Sequence, residues 1–201
     1  ALQSDGTVKV VGLTSVSGAV GTTSQFSAGD IASSAIAYDS TNNKILVAYS
    51  DSADSSNGKA VVGTVSGTNI TFGTPVQFSG PTTGDGNRRI GICFNSTEGK
   101  FVIVYRDSSI NNHGRAITAT ISGTSVSFGS SAVFIANVTN FQACSFDSTS
   151  NRVVIVYSND SVSGSGYAVV AKITGTSLSF GSQEYFEAGY TYYPVAVYDS
   201  N

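Results

Sequence analysis

The chain lacks several residue types that most domains of its size contain. Its 201 residues include no Met, no Trp, one His and two Cys, and only 11% of them are charged. An average soluble domain has about 25% charged residues. The net charge is −3 and the basic residues are scattered, so no strong field attracts nucleic acid. No apolar run approaches the roughly 20 residues of a membrane-spanning helix. We therefore expect neither nucleic-acid binding nor membrane insertion.

The scarcity of histidine and cysteine limits the chemistry that the chain can perform. Histidine is the side chain whose unperturbed pKa lies near neutral pH. Because His113 is the one histidine of the sequence, histidine-based catalysis or metal ligation has to centre on it. No nucleophile motif, phosphate loop or metal-ligand spacing occurs elsewhere. We expect no catalytic residues, no bound metal and no cofactor. The two cysteines, Cys93 and Cys144, are too few for a disulfide framework, and we expect free thiols rather than a bridge.

In place of these residues the chain has an internal repeat. The phrase AIAYDSTNN at 35–43 returns as GICFNSTEG at 91–99, ACSFDSTSN at 143–151 and VAVYDSN at 195–201. The first three copies are each followed by three more segments rich in Val, Ile, Thr and aromatic residues. Short segments of this composition, bounded by turn residues, are typical of β-strands. A period of about 52 residues indicates a repeat architecture with four strands in each unit.

The first turn of each unit has a recognisable chemistry. An Asx residue opens it, and Asn or Gly closes it just before a basic residue. The opening residues can accept hydrogen bonds from the turn, and the closing residues tolerate the left-handed conformation. The opening residues are Asp39, Asn95 and Asp147, and the closing residues are Asn43, Gly99 and Asn151.

The second strand of each unit indicates the architecture. The sequences ILVAY, FVIVY and VVIVY are apolar at consecutive positions, so both faces of this strand need to be covered. The fourth strand alternates and lies nearer to solvent. Blades of a β-propeller stack face to face and meet this requirement. We predict an all-β fold of antiparallel four-stranded blades, forming a β-propeller or part of one.

The predicted division treats residues 1–201 as one repeat domain. Complete blades occupy 31–80, 87–136 and 139–188. Residues 1–30 form a partial blade with the end of strand two and strands three and four, and 190–201 form the first strand of a further blade. The two termini together make one blade that lacks about five residues. We expect a window cut from a longer repeat protein, or ends that meet within a ring or between subunits.

The repeat YDSTNNKILVAYSD…GKAVVGTVSGTNITFGTPVQF resembles blade repeats of virion and tail-appendage proteins of marine bacteriophages, and of related bacterial surface proteins. The resemblance extends over nearly the whole chain. It implies a structural or receptor-binding role on a virion or in the extracellular space, and it carries no catalytic motif and no assigned binding residues.

Two regions carry candidate ligand-binding residues. The loops between the second and third strands present Asp51, Asp107 and His113, whose polar groups can hydrogen-bond sugar hydroxyls or simply remain solvated. The linkers that enter the first strands present an Arg pair and an aromatic cluster, which can stack on and bind a glycan or a carboxylate or simply pack between blades. Their candidate residues are Arg88, Arg89, Tyr192 and Tyr193.

The favoured function is a non-enzymatic structural or receptor-binding module of a virion appendage or extracellular surface assembly. Its expected partners are other copies or other subunits of that assembly, and a cell-surface glycan. One alternative is a carbohydrate-binding, lectin-like propeller, which requires equivalent pockets in every unit. Another is a polysaccharide hydrolase, which requires a pair of carboxylates in the central channel.

Overall fold

A computed structural model describes residues 23–82 and 90–199. Over these residues the chain is all-β, with two antiparallel sheets that do not close into a barrel. Single 3-10 turns lie at Ser52–Asp54 and Asp160–Val162. The strands are β1 (Ile31–Asp39), β2 (Lys44–Asp51), β3 (Asn57–Ser66), β4 (Asn69–Phe72), β5 (Val76–Pro81), β6 (Gly91–Asn95), β7 (Lys100–Asp107), β8 (His113–Ser122), β9 (Ser125–Phe128), β10 (Ala132–Asp147), β11 (Arg152–Asn159), β12 (Ser165–Thr174) and β13 (Ser177–Glu187).

The strands pair mainly with their neighbours in the chain. One sheet has the order β1-β2-β3-β4, and β5 also pairs with β3. The other has the order β6-β7-β8-β10-β11-β12-β13, and β9 also pairs with β8. We call β1–β5 unit 1, residues 91–138 unit 2 and residues 139–187 unit 3. Each unit therefore runs up and down through consecutive antiparallel strands.

Strand β10 passes from unit 2 into unit 3 without a break. Up to Val138 it pairs with β8, and from Thr139 it pairs with β11. The boundary that the sequence predicts between the blades at 87–136 and 139–188 therefore lies inside a strand. Register shifts on both sides of this point bend the strand, because a bulge inserts an unpaired residue and redirects the chain.

The first turn of each unit has the predicted chemistry. Asp39 Oδ1 accepts hydrogen bonds from the amides of Thr41 and Asn42 at 2.8 and 3.0 Å. Asn95 and Asp147 cap the equivalent turns through their own side-chain oxygens. The closing residues adopt left-handed backbone, with φ of 52° at Asn43, 61° at Gly99 and 52° at Asn151. The sequence prediction for these turns is confirmed.

The second strands of units 1 and 2 are buried on both faces. In β2 every residue from Leu46 to Asp51 is buried, and in β7 every residue from Phe101 to Asp107 is buried. One face of β7 packs on unit 1, and the other packs on unit 3. The prediction of a doubly covered second strand is confirmed for these two units.

Three aromatic rings meet in the same way at both contacts between units, and again where Phe26 packs on unit 1, and we call this set the aromatic triad. In each triad a phenylalanine from outside the unit contacts the second-strand tyrosine and the fourth-segment phenylalanine of that unit. Such ring pairs contribute about 0.5–1.5 kcal/mol beyond the area they bury. The triads are Phe26 with Tyr49 and Phe72, Phe78 with Tyr105 and Phe128, and Phe134 with Tyr157 and Phe180, at centroid distances between 5.1 and 6.1 Å.

The segment at 190–199 differs from its prediction. The sequence predicts a first strand there, but residues 190–199 have no strand conformation. A strand needs a paired neighbour to satisfy its backbone groups. The described residues hold no second strand for this segment, which accounts for the difference. The predicted partial blade at 1–30 lies mostly outside the described residues, although Phe26 packs on Tyr49 at 5.1 Å.

Replacing Val104 by Asp is expected to unfold the chain or lower its unfolding free energy by several kcal/mol. Val104 is 0% exposed and lies between units 2 and 3, where an unpaired charge has no compensation. Val65→Asp is the control, because Val65 is 45% exposed on β3. Thermal and urea unfolding measure the stability of both variants. Equal midpoints for Val104→Asp and the unmodified chain would contradict the doubly covered strand.

Candidate functional site

A cavity lies where the first strands of the three units converge. Strands β1, β6 and β10 line it together with residues 193–196, and its volume is about 600 Å³. These four chain segments occupy equivalent positions of the repeat. The side chains around the cavity are mostly small, as at Ser33 and Ala143, and no charged side chain of the described residues lines it.

Four aromatic side chains form a cluster at the edge of this cavity, and we call it the tyrosine cluster. It consists of Phe141, Tyr190, Tyr192 and Tyr193. Phe141 is buried, and its ring lies 4.5 Å from that of Tyr193 and 5.8 Å from that of Tyr192. Tyr192 also contacts Tyr190 at 4.5 Å. Tyr192 is 65% exposed, and Tyr190 and Tyr193 are about half exposed. The cluster therefore presents aromatic surface to solvent.

Two members of the cluster have an unusual backbone conformation. Phe141 has φ of 53° and Tyr193 has φ of 52°, in the left-handed region that bulky residues rarely adopt. Their positions in the repeat are equivalent, because Phe141 lies five residues before Phe146 and Tyr193 lies five residues before Tyr198. Such conformations cost about 1–3 kcal/mol each and are found preferentially at functional sites. Their mutual contact helps to hold both in place.

A polar network fixes the cluster to the body of the protein. The buried Arg106 donates from Nη1 to Asn140 Oδ1 at 2.7 Å. Asn140 donates in turn to Asp160 Oδ2, and Tyr190 OH donates to Asp160 Oδ1 at 3.2 Å. Partial burial, and after it the negative charge of Asp160, raise the pKa of Tyr190. The network joins units 2 and 3 to the segment that carries the exposed tyrosines.

Gly164 explains how Tyr190 reaches this network. A Cβ atom at Gly164 would lie 2.2 Å from Tyr190 Cδ2, and its φ of 74° favours glycine as well. The amide of Thr191 donates to the Gly164 carbonyl at 2.8 Å. The tyrosine ring therefore packs directly against the backbone of the loop before β12.

The predicted loop residue Asp51 is engaged within its own unit. Its Oδ1 accepts from the Ala53 amide at 3.1 Å, and its Oδ2 pairs with Lys59 Nζ at 2.9 Å. Lys59 also pairs with Asp54 at 2.7 Å. Hydrogen bonds to Asp54 and then Asp51 raise the pKa of Lys59 to about 12. These contacts cap a 3-10 turn and stabilise a loop, and a ligand-binding role for Asp51 stays a prediction.

Asp107 repeats this arrangement in unit 2. Its Oδ1 accepts from the Ser109 amide at 3.0 Å, and its Oδ2 pairs with Arg115 Nη1 at 3.3 Å. His113 begins β8 on the same loop and is half-buried. Neither Asp107 nor His113 belongs to the tyrosine cluster, and their predicted ligand binding is untested. The other candidate pair, Arg88 and Arg89, lies outside the described residues.

The prediction of free thiols concerns Cys93 and Cys144, which both lie in the core between units 2 and 3. The Cys144 thiol donates to the Val102 carbonyl at 3.7 Å. The neighbouring Cys93 thiol, and then burial, raise the pKa of Cys144 well above its usual value. The two strand faces that carry the cysteines therefore meet, and both thiols are free.

Sequence reasoning identified Tyr192 and Tyr193 but missed Phe141, Asn140 and Arg106. Phe141 was detectable, because its offset from Phe146 equals that of Tyr193 from Tyr198. Asn140 and Arg106 carry no such signal. They come together only when β7 packs beside β10, which is a contact between distant parts of the chain.

Within 23–82 and 90–199, no group of three or more His, Cys, Asp or Glu side chains is placed to hold a metal ion. The same residues include no helix with the length and apolar character needed to cross a membrane. No protein-family model, curated protein or solved structure matches the chain.

Alkylation is expected to be slow at both thiols of the folded chain. Because the pKa of Cys144 is raised, little thiolate is present at pH 8, and the thiolate is the species that reacts. Iodoacetamide labelling followed by mass spectrometry measures the rate. In the same chain unfolded in guanidinium chloride, both thiols should react at the rate of a free cysteine. Rapid labelling of folded Cys144 would contradict the assigned environment.

Proposed function

We propose that the chain is a propeller-type module with four-stranded blades that acts as a non-enzymatic receptor-binding part of a virion appendage or another extracellular surface assembly. The observation that carries this proposal is the tyrosine cluster. It exposes aromatic surface at the edge of the cavity while a buried network holds it in place.

The propeller assignment is supported by how the units meet. Their first strands converge on one cavity, and their faces stack through the repeated aromatic triad. The fourth segments of units 1 and 2 are β4 and β9, which pair with the third strand on the side away from the cavity. Their residues alternate between exposed and more buried positions. This combination of inner first strands, stacked faces and outer fourth strands is that of propeller blades.

The binding assignment is supported by the exposure of the cluster. Tyr192 is 65% exposed although it belongs to a group of packed rings. Tyrosine offers a large and rigid contact area with a polar tip, at a low entropic cost of ordering. Because Phe141 and the network with Asp160 fix its neighbours, little further ordering is needed when a ligand binds.

A cell-surface glycan is the partner that fits this cluster best. The faces of sugar rings carry C–H groups that pack on aromatic rings, and the sugar hydroxyls can donate to an acceptor such as Asp160. The resemblance of the repeat to virion and bacterial surface proteins agrees with a partner of this kind. Other copies or subunits of the assembly are the second class of partner.

A lectin with one pocket in every unit is less well supported than a single site. The positions equivalent to Tyr193 in the repeat are Ser33, Arg89 and Phe141. The exposed tyrosines therefore occur once. The equivalent loop residues Asp51 and Asp107 are engaged in pairs with Lys59 and Arg115.

Replacing Tyr192 by Ala is expected to weaken glycan binding at least about tenfold, because truncating an aromatic hot-spot residue at a binding site costs about 2 kcal/mol or more. A glycan array with the full chain identifies the ligand, and calorimetry measures its dissociation constant. Tyr38→Ala is the matched control, since Tyr38 is 54% exposed and lies on β1, outside the cluster.

Equal loss of affinity in Tyr192→Ala and Tyr38→Ala would contradict the assignment of the site. Failure of the chain to bind any glycan would exclude a glycan as its receptor. Release of reducing sugar from a bound polysaccharide would overturn the non-enzymatic assignment.

A further inference from the structure

We propose that Cys93 and Cys144 are a disulfide-forming pair, which a small-molecule disulfide in the surroundings converts into a covalent bridge between units 2 and 3. The bridge joins β6 to β10 across the contact between these units. In the reduced chain both thiols are free, and the inference concerns what an oxidant does to them. It does not rest on the proposed receptor.

The first observation is that the two cysteines face each other across the contact. Cys93 lies one residue before Phe94, and Cys144 lies two residues before Phe146. Because successive side chains of a strand point to opposite faces, this offset turns the two thiols in opposite directions on equivalent strands. Strands β6 and β10 belong to neighbouring units, so both thiols enter one interface, where they pack in the same core cluster.

The second observation is that β6 touches unit 3 on both sides of Cys93. A Cβ atom at Gly91 would lie 3.0 Å from the Cα atom of Ala143, so the two backbones are in contact there. Asn95, two residues beyond Cys93, donates from Nδ2 to Asn151 Oδ1 at 2.9 Å. Gly91, Cys93 and Asn95 alternate along β6 and therefore share its face toward unit 3. Cys93 lies between two direct contacts with the unit that carries its partner.

The third observation is that both cysteines adjoin the same residue of β7. Val102 is the pairing partner of Cys93, and residues directly opposite in an antiparallel pair have Cβ atoms about 4.5–5.5 Å apart. The Cys144 Sγ atom lies 3.7 Å from the Val102 carbonyl oxygen. The Cys93 thiol is also the largest influence on the pKa of Cys144. The two thiols are thus close neighbours.

The contact between units 1 and 2 offers a comparison, because its equivalent positions carry no sulfur. They are Ala37 and Ile92, and both pack on the core cluster between those units. Cysteines can pack as small apolar residues in the same way. Packing requires no particular distance between the two side chains, whereas a bridge requires Cβ atoms about 3.5–4.5 Å apart. The two roles therefore differ in how readily the thiols react with each other.

The cavity gives the oxidant a route to the pair. Cys144 is partly exposed and lines the cavity, whereas Cys93 is buried. The Cys144 thiolate attacks one sulfur of the small disulfide and releases one thiol, which leaves a mixed disulfide on Cys144. The Cys93 thiolate then attacks the Cys144 Sγ atom and releases the second thiol. The two cysteines lose two electrons and two protons, and the two sulfur atoms of the reagent gain them.

Equilibration of the full chain with 2-mercaptoethanol and its disulfide at pH 8 tests the proposal. N-ethylmaleimide then labels the remaining thiols, and mass spectrometry separates the bridged chain from the dithiol and from mixed disulfides. The ratio of bridged to dithiol chain gives the effective concentration of one thiol at the other. We expect this concentration to be about 30- to 1,000-fold higher in the folded chain than in guanidinium chloride. A bridge that fits a fold stabilises it by a factor of roughly this size, and the fold favours the bridge by the same factor.

The equilibrium is approached from two directions, because the folded chain reacts slowly. The raised pKa of Cys144 leaves little thiolate near neutral pH, and the thiolate is the species that attacks a disulfide. A second sample is therefore unfolded in guanidinium chloride and refolded in the same redox buffer, so that the thiols meet the reagent before they are buried. Both samples should reach the same ratio of bridged to dithiol chain.

Cys93→Ala is the matched control, because alanine stands at the equivalent position of unit 1. Oxidation should raise the thermal unfolding midpoint of the unmodified chain by roughly 4–16 °C. The midpoint of Cys93→Ala should not rise, because Cys144 alone forms only a mixed disulfide.

Two results would overturn the proposal. An effective concentration no higher in the folded chain than in guanidinium chloride, from both directions, would mean that the cysteines only pack. Mixed disulfides or disulfide-linked dimers as the main product of the folded chain would mean that Cys93 and Cys144 do not reach each other. Neither readout requires a glycan, so failure here is separate from failure of the proposed function.

Discussion

The second strand of each repeat unit is apolar on both faces, and the rest of the structure depends on covering both of them. A single sheet buries one face at most, so a strand such as FVIVY cannot be satisfied inside its own unit. Units 1 and 3 cover β7 from opposite sides, and Val102 and Ile103 are each 0% exposed as a result. The aromatic triad recurs at every contact between units for the same reason. It fills the outer part of each interface with rings of matching size.

The site follows from this stacking. Once the units stack, their first strands converge on one cavity, and residues from separate units become neighbours at its edge. Arg106 of unit 2, Asn140 of unit 3 and Tyr190 beyond unit 3 meet in one network in this way. The left-handed conformations of Phe141 and Tyr193 are held by that packing. The site thus lies where the repeated copies differ in sequence, while the equivalent positions of the copies maintain the scaffold.

The sequence predicted local features well and long-range features poorly. The Asx turns at Asp39 and Asp147 and the left-handed Asn43 are confirmed, because a few consecutive residues determine them. Burial of the second strands of units 1 and 2 is confirmed because it follows from their apolar pattern. The continuity of β10 was missed, since its bulges depend on pairing with both β8 and β11. The network around Asn140 was missed as well, because Arg106 lies 34 residues away in the chain.

The central claim is that the aromatic triad couples one unit to the next, and a double-mutant cycle on Phe134 and Tyr157 tests it most directly. Their rings lie 5.1 Å apart, and the Tyr157 hydroxyl has no hydrogen-bond partner in the described residues, so Tyr157→Leu strands no polar group. Urea unfolding of Phe134→Leu, Tyr157→Leu and the double variant should give a coupling energy of about 0.5–1.5 kcal/mol. Phe134→Leu combined with Tyr49→Leu, from a different interface, should be additive within about 0.5 kcal/mol. Additivity of the Phe134 and Tyr157 changes would contradict the account.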